Sequence, residues 1–98
     1  MSHLLFVQIW IHPGREAAFA EFEAGSVPLL ARHGGRIERA LRVARGAPDA
    51  PYEVHLVTFP DAAAFHAYSS DADIIARAAV RATVIARTVS MECGEVTY

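Results

Sequence analysis

Neither lysine nor asparagine occurs among the 98 residues, and cysteine occurs once, as Cys93. Without lysine there is no amine nucleophile for Schiff-base chemistry. Without asparagine there is no N-glycosylation acceptor. A single cysteine excludes an intramolecular disulfide and a thiolate-rich zinc site, and Cys93 is expected to be a small buried hydrophobe. Positive charge is also scarce: nine basic residues, all arginine, face eleven acidic ones for a net charge of −2, with no basic cluster. Neither nucleic acid nor an anionic membrane is therefore expected as a partner. Glycine-rich phosphate loops are missing, because G-S-V-P-L-L and R-H-G-G-R lack the required spacing. No serine sits in a nucleophile elbow. No H-x-x-x-H or H-x-H pair exists, so no metal is expected, and no cofactor motif is present. The opening M-S-H-L-L-F-V-Q-I-W-I is apolar but carries no positive n-region or small-residue cleavage site, and falls short of the ~20 residues of a membrane span. It reads as a strand of a cytoplasmic protein.

What is abundant is apolar surface. Hydrophobic residues make up 53% of the chain, slightly more than usual, and residues 1–98 are expected to form one domain. From Leu4 to Ile11 both alternating sets are apolar: Leu5, Val7, Ile9 and Ile11 on one side, Leu4, Phe6 and Trp10 with Gln8 on the other. Such a strand is buried on both faces. A domain this small has helices for only one face, so a second chain is expected to cover the other, making a homodimer.

The remaining pattern orders itself around Val27–Arg36. Phe19, Phe22, Ser26, Leu29, Leu30 and His33 form a helical stripe, and the helix is expected from Arg15 to about Arg32. Pro28 predicts a kink or break near Gly25–Val27. Gly34 stands where a helix needs a left-handed closing residue, and Gly35 adds a second permissive joint. Residues Arg36–Arg45 alternate as a strand near a sheet edge, G-A-P-D-A-P is a loop, and Tyr52–Phe59 is a third strand. Asp61 caps a helix through about Tyr68, and Ser69-Ser70-Asp71 caps a short one from Ala72 to about Ala79. Thr83–Cys93, rich in β-branched residues, is the last strand. The order β-α-β-β-α-β predicts an α+β, ferredoxin-like fold with an antiparallel sheet.

With those elements in place, P-L-L-A-R-H-G-G-R at 28–36 resembles the helix-to-strand junction of the dimeric α+β barrel superfamily. The nearest member is a small bacterial domain-of-unknown-function family. Its later features would correspond to Phe59-Pro60-Asp61, to Phe65–Ser70 and to Arg77 and Arg81. H-P-G-R-E-A-A-F is also similar to NIPSNAP-like and antibiotic-biosynthesis-monooxygenase-like relatives. The family's tyrosine beyond the serine is replaced here by the Asp71–Ile74 region. The resemblance implies a dimer whose sheets face each other and, by analogy with cofactor-independent oxygenases, a pocket for a small apolar or aromatic compound.

Among candidate site residues, His55 leads as a proton-transfer group, being a mid-strand imidazole on the face shared with Glu53 and Phe59; a hydrogen-bonded interface histidine is the bland alternative. Trp10 and Phe22 are candidate substrate-binding aromatics. Arg39 and Arg87 are candidate anion holders, against the default that strand arginines pair with Glu38, Glu53 or Glu92. His33 is read as favoured by the helix C-terminal dipole, and Asp71 and Asp73 as carboxylates at a helix start. Two functions follow: a cofactor-independent enzyme of monooxygenase or isomerase type, or a non-catalytic dimeric module for ligand binding or protein interaction. An apolar cavity holding His55 discriminates between them.

Overall fold

A computed structural model describes residues 2–98. Strand β1 (His3–Ile11) leads into helix α1 (Glu16–Arg32), which is followed by β2 (Arg36–Arg42) and β3 (Glu53–Phe59). Three helices come next, α2 (Ala62–Ser69), α3 (Ala72–Ala76) and α4 (Ala78–Val84), before β4 (Ile85–Cys93). The four strands pair antiparallel in the order β2-β3-β1-β4. This is the ferredoxin-like α+β topology, with β1 and β3 central and β2 at the edge its alternation predicts.

Register decides which face looks at the helices. Leu5 pairs with Val57, Val7 with His55 and Ile9 with Glu53, and opposed residues share a face. That face packs against the helices in two clusters. Leu5, Val57 and Phe59 meet Leu30 of α1 with Phe65 and Tyr68 of α2 alongside. Ile9 and Ile85 meet Phe19 and Val84, with Phe22 and Tyr52 alongside. Leu4, Phe6, Trp10, Val54 and Leu56 point the other way and stay half-buried, with no helix over them among the described residues.

The junction at 28–36 closes α1 as a Schellman motif. Gly34 donates to the Ala31 carbonyl at 3.0 Å and Gly35 to the Leu30 carbonyl at 2.9 Å, with Gly34 at φ +72°. Gly35 needs no positive φ. It is glycine because a Cβ there would stand 2.5 Å from Cε1 of Phe59.

Three expectations about local structure are corrected. Helix α1 runs unbroken through Pro28; burial of Phe19, Ser26 and Leu30 on one face outweighs the lost backbone bond. Thr83 and Val84 end a helix instead of starting a strand. Val84 is 2% exposed beside Phe19 and Ile9, and this packing overrides its β propensity. Two long-range bonds hold that helix end, from His12 Nε2 to the Ala82 carbonyl at 3.0 Å and from Arg15 Nε to the Thr83 carbonyl at 3.1 Å. Cys93, thirdly, is exposed. It pairs with Leu4 on the helix-free face, where only another molecule would bury it.

Candidate active site between helices and sheet

Because α1 crosses the sheet with Phe22, Glu23 and Ser26 on its lower face, the layers do not close completely. A cavity of about 300 Å³ remains, walled chiefly by β1, β3, β4, α1, α2 and α4. Leu5, Val7, Ile9, Val57 and Ile85 form its apolar floor. Its polar groups are few: His55, Glu23, Tyr68, Arg77, Arg81 and four hydroxyl side chains. Concave, mainly apolar sites with a small set of placed polar groups are the usual form of small-molecule pockets.

His55 is 4% exposed and Glu53 is 8% exposed. Two residues apart on β3, they share a face, and His55 Nε2 lies 2.5 Å from Glu53 Oε2. The carboxylate only accepts, so Nε2 carries a proton, and in the neutral imidazole Nδ1 is then the basic nitrogen. Glu53 is itself held from the far side by Arg42, whose Nε and Nη2 donate to Oε1 at 3.0 and 2.9 Å. Arg42 in turn lies over the Tyr52 ring at 4.2 Å. The buried carboxylate therefore has a cation on one side and an imidazole on the other, as a buried charge requires.

Nδ1 of His55 looks towards Glu23, with Oε2 at 3.9 Å. That gap is too wide for a direct hydrogen bond and wide enough for an intervening oxygen. Burial raises the Glu23 carboxyl above its ordinary range, His55 pulls it down, and Glu53 adds to the rise. Burial also raises the Tyr68 phenol, with the Glu23 charge adding to it. Tyr68 is thus a neutral hydroxyl donor on the cavity wall.

The sequence candidates divide between the two faces. His55 and Phe22 line the cavity together. Trp10, Arg39 and Arg87 do not. Trp10 lies opposite Arg87 on the helix-free face, with the guanidinium 4.5 Å from its ring, and its Nε1 donates to the Asp49 carbonyl at 2.9 Å. Arg39 pairs with Leu56 on that same face, after an irregularity in β2 between Ile37 and Arg39. The cavity's arginines are Arg77 and Arg81 instead. Arg42 pairs with Glu53 across strands, as the default for strand arginines had it, whereas Arg36 pairs with Glu38 within β2.

Glu53, Glu23, Tyr68, Arg77 and Arg81 were not among the site candidates. A signal existed for one of them. Glu53 and His55 stand at i and i+2 on a strand; Glu23, expected off the stripe of Phe19, Phe22 and Ser26, lines the cavity beside Phe22 and Ser26 instead. Nothing local placed Tyr68 near Glu23, which needs α1 and α2 packed on the same face of the sheet.

Next to the cavity, Asp71 joins the end of α1 to the start of α3. It meets His33 Nε2 at 2.7 Å and Arg32 Nη1 at 3.0 Å, while accepting from the Asp73 N–H at 2.9 Å. Asp73 takes the same Arg32 nitrogen at 2.8 Å. The hydrogen bond from His33, with those from the Asp73 backbone and Arg32, holds the Asp71 carboxyl down at about 2.

No protein-family model matches the sequence, nor does any curated protein. Solved structures do. A protein of unknown function from Rhodopseudomonas palustris is similar at TM-score 0.79 and 16% identity, over 99% of this chain and 84% of that one. A dabb family protein with a ferredoxin-like fold, from Mesorhizobium loti, matches at TM-score 0.72 and 16% identity over 98% of both chains. SnoaB, a cofactor-independent oxygenase from Streptomyces nogalater, matches at TM-score 0.74 and 15% identity, over 99% and 95%. At these identities the likeness establishes the fold, the ferredoxin-like one expected from the order of elements.

Proposed function

We propose that the chain is a cofactor-independent enzyme that abstracts a proton from a small aromatic or polyketide-like compound in the cavity between helices and sheet. The observation that carries this is the oriented imidazole: His55 gives Nε2–H to buried Glu53, which leaves Nδ1 basic and turned towards Glu23 beside apolar walls. Glu53 fixes the tautomer and stabilises the imidazolium that forms. In the proposed step the proton of an acidic O–H or C–H passes to Nδ1 and its electron pair stays on the substrate. Returned to another carbon, the proton completes an isomerisation with no change in composition. Where dioxygen is the co-reactant, a CH₂ group and O₂ become a carbonyl and water. The oxygenase among the structural neighbours supports the second outcome by likeness of fold.

The chain is also proposed to work as a homodimer in the cytoplasm. Leu4, Phe6, Val54 and Leu56 form an apolar sheet face without a helix over it, and the exposed free Cys93 suits a reducing compartment.

The test is wild type and His55→Ala against a panel of phenols and quinone precursors. Oxygen uptake is followed in air and solvent-deuterium exchange without air. Wild type is expected to turn over or exchange at least one compound, with the activity lost in His55→Ala. No turnover, exchange or binding across the panel transfers the case to a non-catalytic module.

A further inference from the structure

Two guanidinium groups line the cavity without a carboxylate partner. Arg77 donates Nη1 to Ser26 Oγ at 2.8 Å and Nη2 to the Phe22 carbonyl at 2.7 Å, and lies over the Phe22 ring at 4.0 Å. Arg81, one helical turn on, donates Nη2 to Thr88 Oγ1 at 2.5 Å. Every one of these acceptors is neutral. Among the described residues neither arginine has an ion-pair partner, whereas Arg32, Arg36 and Arg42 each hold a carboxylate. Glu23 is the only acid on the cavity wall, so two positive groups face one carboxyl there.

The arrangement is built, not incidental. Arg77 is half-buried and runs across α1 at Gly25, where a Cβ would stand 3.1 Å from its Nη2. Its three contacts use up the head group's freedom without supplying a charged partner, and Glu23 acts on it only from a distance across the cavity. Arg81 is exposed at the cavity's edge, and its single hydrogen bond leaves most of its five donors free. Unpaired positive charge beside apolar walls is a site for an anion, and a guanidinium fork matches a carboxylate.

We infer that the cavity selects an aromatic carboxylic acid, its carboxylate taken by Arg81 with Arg77 behind it, and its acidic hydroxyl directed to His55. The hydroxyl end rests on the proposed proton abstraction; the carboxylate end does not. Spacing supports a ligand reaching both. Thr88 lies on β4 and His55 on β3, with β1 between them. Thr88 stands opposite Ile9 and His55 opposite Val7, so two strand spacings and a two-residue offset part them by ~12 Å, which a flat bicyclic acid spans between the side chains, and about 300 Å³ accommodates one.

The probe is 6-hydroxy-2-naphthoate, with a hydroxyl and a carboxylate at opposite ends, compared by fluorescence titration with its neutral carboxamide and with 2-naphthol. The wild-type protein is expected to bind the acid roughly tenfold or more tightly than the amide, with the preference shrinking as salt rises. Arg81→Gln should abolish the preference, Arg81→Lys should keep part of it, and His55→Gln should keep it whole. Equal affinity for acid and amide, no binding of the acid, or a preference unchanged in Arg81→Gln overturns the inference. The acid–amide comparison needs only wild-type protein, so it stands even where a variant does not fold. The two readings also fail separately. An acid preference with turnover intact in His55→Ala refutes the proton-abstraction reading alone. Turnover of neutral phenols without any acid preference refutes the carboxylate site alone.

Discussion

Glu53 and His55 illustrate how two side chains on one strand become a chemical unit. Their spacing places both on the helix side, and burial makes their hydrogen bond matter, since an unpaired carboxylate at that depth is costly. Removing a positioned general base typically lowers rate by ~100- to 10,000-fold. His55→Ala is expected to fall in that range in kcat on any substrate found, with the melting temperature showing that the fold persists. Asp71 offers a test of a different kind. Its folded-state value of about 2 lies below the ordinary 3.8. The stability it contributes is therefore complete above ~4 and is lost as pH falls towards about 2. Melting temperatures measured from pH 6 down to 2 should fall more steeply in wild type than in Asp71→Asn, which lacks the titrating group. Parallel curves would show that His33 and Arg32 do not depress it.

At the level of elements, the α1–β2 junction carries the tightest constraint. Gly34 and Gly35 sit side by side but are glycine for different reasons, one for its left-handed backbone and the other for the Phe59 ring against it. Gly35→Ala must displace a ring that is 2% exposed, and overpacking of this sort costs ~1–3 kcal/mol. Gly94→Ala, with nothing within 4 Å of the added carbon, is the neutral control. Urea midpoints of the two variants against wild type check both. Helix α4 shows the reverse situation, where local preference loses. Thr83 and Val84 read as strand from composition, and burial of Val84 in the core decides otherwise.

At the scale of the molecule, the sheet has helices on one face and half-buried apolar residues on the other. The proposed dimer would bury that second face, and obligate interfaces of this kind cover more than ~2,000 Å² in total. Light scattering should give twice the 10.6 kDa chain mass at low micromolar concentration. Leu56→Glu, placing charge in the middle of that face opposite Phe6, should shift the protein to monomer. A wild-type monomer under those conditions sinks the proposal. Trp10, Arg39 and Arg87 lie on this face, so their variants report on assembly first.

The β-α-β-β-α-β order, the edge position of β2, the closing role of Gly34 and the candidacy of His55 were all legible in the chain. Each rests on local chemistry: alternation along a strand, turn residues at helix ends, a titratable group mid-strand. Which face of β1 meets the helices was not legible, because both of its faces are apolar and alternation cannot separate them. Register settles that by pairing Val7 with His55 and Trp10 with Arg87, so His55 enters the cavity while Trp10, Arg39 and Arg87 leave it. The arginines that line the cavity are Arg77 and Arg81 rather than strand arginines for the same reason. A side chain's neighbours across a sheet or between helices depend on how distant segments pack, and spacing within one segment does not contain that information.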